Sequence, residues 1–258
     1  MKKPIYLLLL PLMGLGQYRT PRFMALGEIQ AVQLYDPISV SPAAAYPNRS
    51  WSAAVAGAFY LPVPELSSRM IGGAFRWDTM QGISLLAQQW GFDQITQWEA
   101  GLGYFLRLPK QELTIGVRGR MLTTTIAEFG RIHRFSPDLG AFWQPLPRLR
   151  LGAYGYNLLG VGWGRLPGNV RYGLGVAYVL PYAEISTELT QEASHPMQYR
   201  LGLQYSPHPI LTVRLGAAFP TATMGAGLGL RYQRFILDLG YRYQPTLGSW
   251  IAIGLASM

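Results

Sequence analysis

Residues 198–205, Gln198-Tyr199-Arg200-Leu201-Gly202-Leu203-Gln204-Tyr205, set aromatic and aliphatic side chains on one face of a strand and Arg, Gly and Gln on the other. The pattern returns from Arg234 to Tyr243, where Phe235, Leu237, Leu239, Tyr241 and Tyr243 alternate with Asp238, Gly240 and Arg242. Successive side chains of a strand point to opposite sides, so each segment carries one apolar and one polar face. Two architectures use such segments. In a soluble sandwich the apolar faces meet between two sheets; in a transmembrane barrel they meet lipid and the polar faces line the interior.

Composition separates the two. Hydrophobic residues make up 49% of the 258-residue chain and charged residues only 14%, against about 25% charged in soluble domains. No stretch after residue 17 reaches the roughly 20 consecutive apolar residues that a membrane helix needs. A chain poor in charge and without helical spans, yet rich in alternating segments, reads as a membrane barrel. The first residues agree: Met1-Lys2-Lys3 is basic, Ile5 to Leu15 is apolar but too short to span, and Gly14-Leu15-Gly16 is a small-x-small cleavage site. Residues 1–16 therefore read as an export leader, leaving Gln17 as the mature N-terminus. The chain has no Cys, hence neither a lipid-anchor cysteine nor a disulfide framework. Its formal net charge is +9, but only three Lys are present and the Arg residues are scattered singly, which argues against nucleic-acid binding.

From Trp51 onward the alternation predicts about 14 antiparallel strands, near 51–60, 67–77, 80–90, 95–108, 111–122, 135–144, 148–158, 170–179, 182–190, 197–205, 210–219, 223–232, 235–244 and 249–257. Twelve strands result if a weak pair at 67–90 or near 223–257 is discounted. The links alternate between tight ones, such as Pro109-Lys110, Pro145-Leu146-Pro147 and Leu180-Pro181, and a second set at 61–66, 91–94, 123–134, 159–169, 191–196, 220–222 and 245–248. Short periplasmic turns and longer outer loops would produce that alternation, placing both chain ends in the periplasm of a bacterial outer membrane, with its lipid as partner. Tyr172, Tyr178, Tyr199, Tyr205, Trp143, Tyr232, Tyr243 and Trp250 lie toward strand ends, where a membrane interface collects aromatic residues.

The polar faces then converge on a lumen. Parity directs Arg107, Arg118, Arg120, Arg150, Arg171, Arg200, Arg214, Arg231 and Arg242 inward together with Glu99, Asp138, Glu184, Glu188 and Asp238. Charges shielded from water are tolerated when paired, so a charge network filling the lumen is expected; the competing reading is an anion-attracting pore. Gly225, Gly227 and Gly229 on the same face leave room for something close to the wall, and residues 17–50 are the candidate plug, ahead of a barrel at 51–258.

Catalytic and metal chemistry find no support. His133, His195 and His208 fall in expected connections, Ser194-His195 with Glu192 is a nucleophile–base set in name only, and no Cys or H-E-x-x-H cluster suggests a metal. No cofactor is implied, and Gly160-Val161-Gly162-Trp163-Gly164 does not open a helix, so it reads as a loop.

Ala25-Leu26-Gly27-Glu28-Ile29-Gln30-Ala31-Val32, then Asp36, then Ser41-Pro42-Ala43-Ala44-Ala45 resembles the N-terminal region of FadL-like barrels, in which a small-residue stretch and an Asp precede an Asn-Pro-Ala motif before the first strand. Here Ser41 stands in the Asn position. Asp138-Leu139-Gly140, followed by a Pro turn and Leu149 to Leu158, is similar to a hairpin of the PorV and PorQ branch, whose members serve type IX secretion in Bacteroidetes. The resemblance implies an accessory of protein secretion that binds secretion-machinery proteins or exported cargo. The alternative is a FadL-like channel for small hydrophobic or anionic solutes.

Overall fold

A computed structural model describes residues 20–33, 36–39, 41–63, 65–158, 170–193 and 195–257. Fourteen strands follow one another: β1 (Trp51–Tyr60), β2 (Ser67–Arg76), β3 (Gln81–Phe92), β4 (Ile95–Leu108), β5 (Leu113–Ile126), β6 (Gly130–Leu146), β7 (Leu149–Tyr156), β8 (Arg171–Val179), β9 (Ala183–Glu192), β10 (Gln198–His208), β11 (Leu211–Phe219), β12 (Thr223–Tyr232), β13 (Phe235–Gln244) and β14 (Gly248–Ser257). Each pairs antiparallel with its sequence neighbours, and β1 pairs with β14 from Ala53↔Ser257 to Tyr60↔Trp250. The sheet is thus a closed antiparallel barrel without edges. The weak pairs at 67–90 and 223–257 both form, so the count is fourteen rather than twelve.

The tight turns have local causes. At 77–80 the Asp78 Oδ1 accepts hydrogen bonds from the backbone N–H groups of Met80 (2.7 Å) and Gln81 (2.6 Å), a side chain standing in for a turn carbonyl. At 109–111 Pro109 opens a single 3₁₀ turn, its fixed φ fitting the first helical position. The segment 123–134, expected as a loop, is instead the extension of the β5–β6 hairpin, paired from Thr123↔His133 to Ile126↔Gly130. Thr123, Thr124, Thr125 and Ile126 are β-branched and favour extended backbone, and Gly130 supplies the positive φ that closes the turn. The length contrast between the two sets of connections is correspondingly smaller than the sequence suggests among the described residues; the expected loop 159–169 lies outside them. His133 and His208 lie in strands, not in connections.

Burial alternates along most strands; β13, for example, reads exposed at Phe235, Leu237, Leu239, Tyr241 and Tyr243 and buried at Ile236, Asp238, Gly240 and Arg242. The exposed positions form a belt of Leu, Ile, Val and Ala, including Ile71 (59% exposed), Leu102 (58%) and Leu174 (63%). Two rings of aromatic residues bound it. One, at the rim holding the chain ends, includes Trp51, Phe75, Tyr104, Trp143, Tyr178 and Tyr205; the other, at the opposite or loop rim, includes Phe59, Trp98, Phe135, Tyr172, Tyr199 and Tyr243. A continuous apolar belt of this extent is far larger than the patch of a few hundred Å² that a soluble monomer exposes. Hydrocarbon is the solvent that fits it, and this is a transmembrane barrel. Trp250 is a correction: it faces inward and is 1% exposed.

Residues 20–33, 36–39 and 41–46 lie inside the ring. A short helix, α1 (Pro21–Ala25), is capped by Thr20, whose Oγ1 accepts from the Phe23 N–H, and packs against β11 to β14. A 3₁₀ turn at Pro42–Ala45 packs against β4 to β6 on the other side. The wall meets this inner segment through glycines. At Gly116 a Cβ would lie 2.6 Å from the Ala43 nitrogen, closer than any side chain tolerates, so the wall can approach the inner backbone only because no side chain intervenes.

Candidate functional site: the lumen

Three charged clusters tie the inner segment and the walls together. In the first, Arg120 is fully buried; its Nε donates to Asp138 Oδ2 (2.5 Å), its Nη2 to Asp138 Oδ1 (2.9 Å), and its Nη1 to the Tyr156 hydroxyl (2.8 Å). Glu99 stands 3.1 Å from the same guanidinium. The neighbouring Arg118 donates to the Ser39 carbonyl of the inner segment at 2.7 Å. A guanidinium presents five donors and cannot shed its proton, so its burial requires this complete set of acceptors.

The second cluster is centred on Glu188. One carboxylate oxygen accepts from the backbone N–H groups of Gln30 (2.7 Å) and Ala31 (2.6 Å). The other accepts from the Tyr154 hydroxyl (3.0 Å), Thr190 Oγ1 (3.0 Å) and Arg200 Nη1 (3.2 Å). Arg200 also donates to the Glu28 carbonyl at 2.7 Å, and the Glu28 carboxylate pairs with Arg242 at 2.8 Å. In the third, Asp238 pairs with Arg214 (2.6 Å) across the wall and with Arg22 of α1 (3.5 Å).

The remaining expected residues lie toward the rims. Arg150 pairs with Glu184 at 2.7 Å and Arg171 with Glu192 at 2.9 Å. Arg107 reaches Glu112 at 2.7 Å, with both side chains partly exposed. Arg231 departs from the expectation. It keeps inward parity in β12 but sits one residue from the strand's end, is exposed, and forms no ion pair among the described residues. At the mouth water solvates the guanidinium, so no carboxylate is needed there. Of the N-terminal motif, Ser41, Pro42 and Ala43 pack against Gly116 and Gly140. Asp36 accepts from the Ile38 N–H at 3.0 Å, and desolvation in the lumen raises its carboxyl above the usual range.

Several participants escape sequence reasoning. Glu28 and Arg22 sit in a segment with no strand period to orient them. Tyr46, where the inner segment turns out toward β1, accepts from Arg76 Nη1 at 2.6 Å, donates to the Thr79 carbonyl and stacks edge-on against Phe105 at 5.5 Å between ring centroids. Strand parity alone would have found Arg76 and Tyr156.

The lumen also has an apolar quarter. At the loop rim Leu66, Trp90, Ile95 and Trp250 cluster with Ala58, Ala252 and Met24 of α1, flanked by Tyr60, Phe92 and Ile126. A cavity of about 30 Å³ between α1, Asp36, Asp238 and the β1–β14 seam has room for a few waters and no larger solute. Among the described residues no cluster of His, Asp and Glu has metal-binding spacing. Ser194, the Gly160–Gly164 run and the leader lie outside the described residues.

No family model and no curated protein matches the chain. Solved structures do. The monoaromatic hydrocarbon channel CymD superposes with a TM-score of 0.72 at 10% identity, covering 92% of this chain and 97% of its own. The chain has the fold of these channel barrels. The Pseudomonas putida toluene transporter TodX (TM-score 0.64, 10% identity, 93% and 98% covered) and a Pseudomonas aeruginosa FadL homologue (0.62, 11%, 92% and 97%) give the same result. At such identities the likeness concerns the path of the backbone, over nearly the whole of each chain.

Proposed function

We propose that this chain is an outer-membrane channel for small hydrophobic solutes, with residues 1–16 a removed leader, residues 17–50 a plug that closes the lumen, and both chain ends in the periplasm. The observation that carries the reading is the apolar quarter of the lumen. Trp90, Trp250, Ile95 and Leu66 turn inward at the loop rim, where a barrel that only held a charge network would place polar side chains. A hydrophobic solute entering there would meet two indoles and be led to Met24 at the plug. The fold shared with two hydrocarbon channels supports the same class of solute. Anionic solutes are a poorer match, because the buried arginines are engaged by carboxylates and carbonyls.

The test is uptake of radiolabelled toluene by cells whose own hydrocarbon channels are deleted. Expression of this chain raises the rate, and Ile95→Asp, which places a charge in the apolar quarter, abolishes the gain. A rate unaffected by expression contradicts the proposal. A second reading, the PorV/PorQ-like accessory of secretion, draws on the short connections at 93–94, 127–129, 220–222 and 245–247 and on the firm attachment of the inner segment. It predicts no uptake and copurification with secretion-machinery proteins.

A further inference from the structure

The outward face of the barrel is not uniformly convex. Across β6 to β10 the register row Ala141↔Ala153↔Leu174↔Leu189↔Tyr199 forms the floor of a concavity of about 980 Å³, walled by Leu113, Trp143, Leu151, Val176 and Thr187. Small residues, Ala141 and Ala153, hold facing outward positions on neighbouring strands, so side-chain volume is missing on both at one height. The inner side of the same wall is pressed onto the inner segment. Gly152 and Gly175 lie against Ala31 and Val32, a Cβ at Gly175 coming within 2.9 Å of the Ala31 side chain, while the Ala31 N–H is held by Glu188. Contact on the inside and absent side-chain volume on the outside together make the hollow.

The hollow lies between the aromatic rings, so hydrocarbon fills it. Its end at the chain-terminus rim is distinctive. Gln111 and Trp143 mark it, joined by a hydrogen bond from Trp143 Nε1 to the Gln111 carbonyl (3.0 Å), and the turns just beyond carry Lys110 and Arg148, both exposed. The carboxylates nearest in sequence and register are occupied, Glu112 by Arg107 and Glu184 by Arg150.

We propose that this hollow is a binding site for one acidic phospholipid of the leaflet at the chain-terminus rim, its acyl chains lying on Ala141, Ala153 and Leu174 and its phosphate held by Lys110 and Arg148. An apolar trough with two cations at its interfacial mouth that form no ion pair among the described residues is complementary to that amphiphile.

Native mass spectrometry of the full-length protein, purified in mild detergent with equal phosphatidylglycerol and phosphatidylcholine, tests the site. The wild type retains a single phosphatidylglycerol. Ala153→Trp, which fills the trough from the lipid side, removes it, whereas Leu228→Trp at an outward position of β12 does not. The double variant Lys110→Glu/Arg148→Glu lowers retention about thirtyfold, from roughly 1 kcal/mol per basic residue. It changes only turn residues, so it stands as a test if Ala153→Trp fails to migrate as a folded barrel. Equal retention of the two lipids by the wild type, undiminished retention in the double variant, or equal stripping by both tryptophan variants would overturn the assignment, leaving only the annular lipid that surrounds any barrel.

Discussion

Glu188→Gln should loosen the inner segment without melting the barrel. The native carboxylate is acceptor only and receives five donors: two backbone N–H groups from Gln30 and Ala31, and Tyr154, Thr190 and Arg200. A glutamine of the same shape has one acceptor oxygen and an NH₂. Aimed at the inner segment, the NH₂ opposes two N–H groups; turned around, it opposes Arg200 and the hydroxyls. Either way the buried Arg200 loses its charged partner within the wall. Removing one member of a buried ion pair costs about 3–5 kcal/mol, and hydrogen bonds to a charged group are worth about 1.5–3 kcal/mol each. Because Gln30 and Ala31 belong to a segment hydrogen-bonded to itself by few backbone bonds, the loss falls on local opening of that segment. Hydrogen exchange by mass spectrometry in micelles reads it directly. Amides of residues 29–33 should exchange on the order of a hundredfold faster in the variant, from about 3 kcal/mol, while amides of β9 and β10 keep their protection. Glu184→Gln, at the partly exposed pair with Arg150, should leave residues 29–33 unchanged. Unaltered exchange in Glu188→Gln would mean that the carboxylate does not hold the segment, and the reasoning would fail.

Arg120→Met leaves Glu99 and Asp138 buried without their cation and should lower the stability of the barrel by about 3–5 kcal/mol, seen as a lower urea midpoint; Arg231→Met at the mouth should stay within about 0.5 kcal/mol. Gly116→Val pushes into the Pro42–Ala43 backbone, so limited proteolysis should cut the inner segment in the variant and not in the wild type. Asp36 has a folded-state pKa above its ordinary 3.8, so its ionisation opposes folding at pH above the raised value and ceases to matter below 3.8. Asp36→Asn should therefore be at least as stable as the wild type at pH 7, and the gain should vanish on acidification. A gain that grows as the pH falls would contradict the sign.

How much could be read from the chain followed from one regularity. Where a strand has one face in hydrocarbon and the other in a packed lumen, parity fixes the direction of every side chain. The strand positions and the inward course of Arg118, Arg120, Arg200, Arg214 and Arg242 are thus legible in the sequence alone. What parity cannot give is height along the barrel, which decides whether water reaches a group. Arg231, inward by parity but solvated at the mouth, differs from the paired arginines for that reason; Trp250 is inward by parity itself, alternating with the outward Ile251 and Ile253, and only its aromatic character suggests the interface. Register is also nonlocal: nothing near Glu188 in sequence shows that its partners are the N–H groups of residues 30 and 31. The inner segment, with a five-residue helix and a single 3₁₀ turn, has no period at all, so Glu28, Arg22 and Tyr46 acquire their roles only when the wall closes around them. The β5–β6 extension was missed because threonines and charged residues resemble a loop by polarity, although their β-branching favours a strand.

The absence of cysteine allows a single nitroxide to be placed at each position of β13 from 235 to 243, in the protein reconstituted into lipid. Collision rates with oxygen, which concentrates in hydrocarbon, should be high at 237, 239 and 241 and low at 236, 238, 240 and 242. A rate without that two-residue period, or one highest at 238 and 242, would contradict a wall with lipid outside and a filled lumen within.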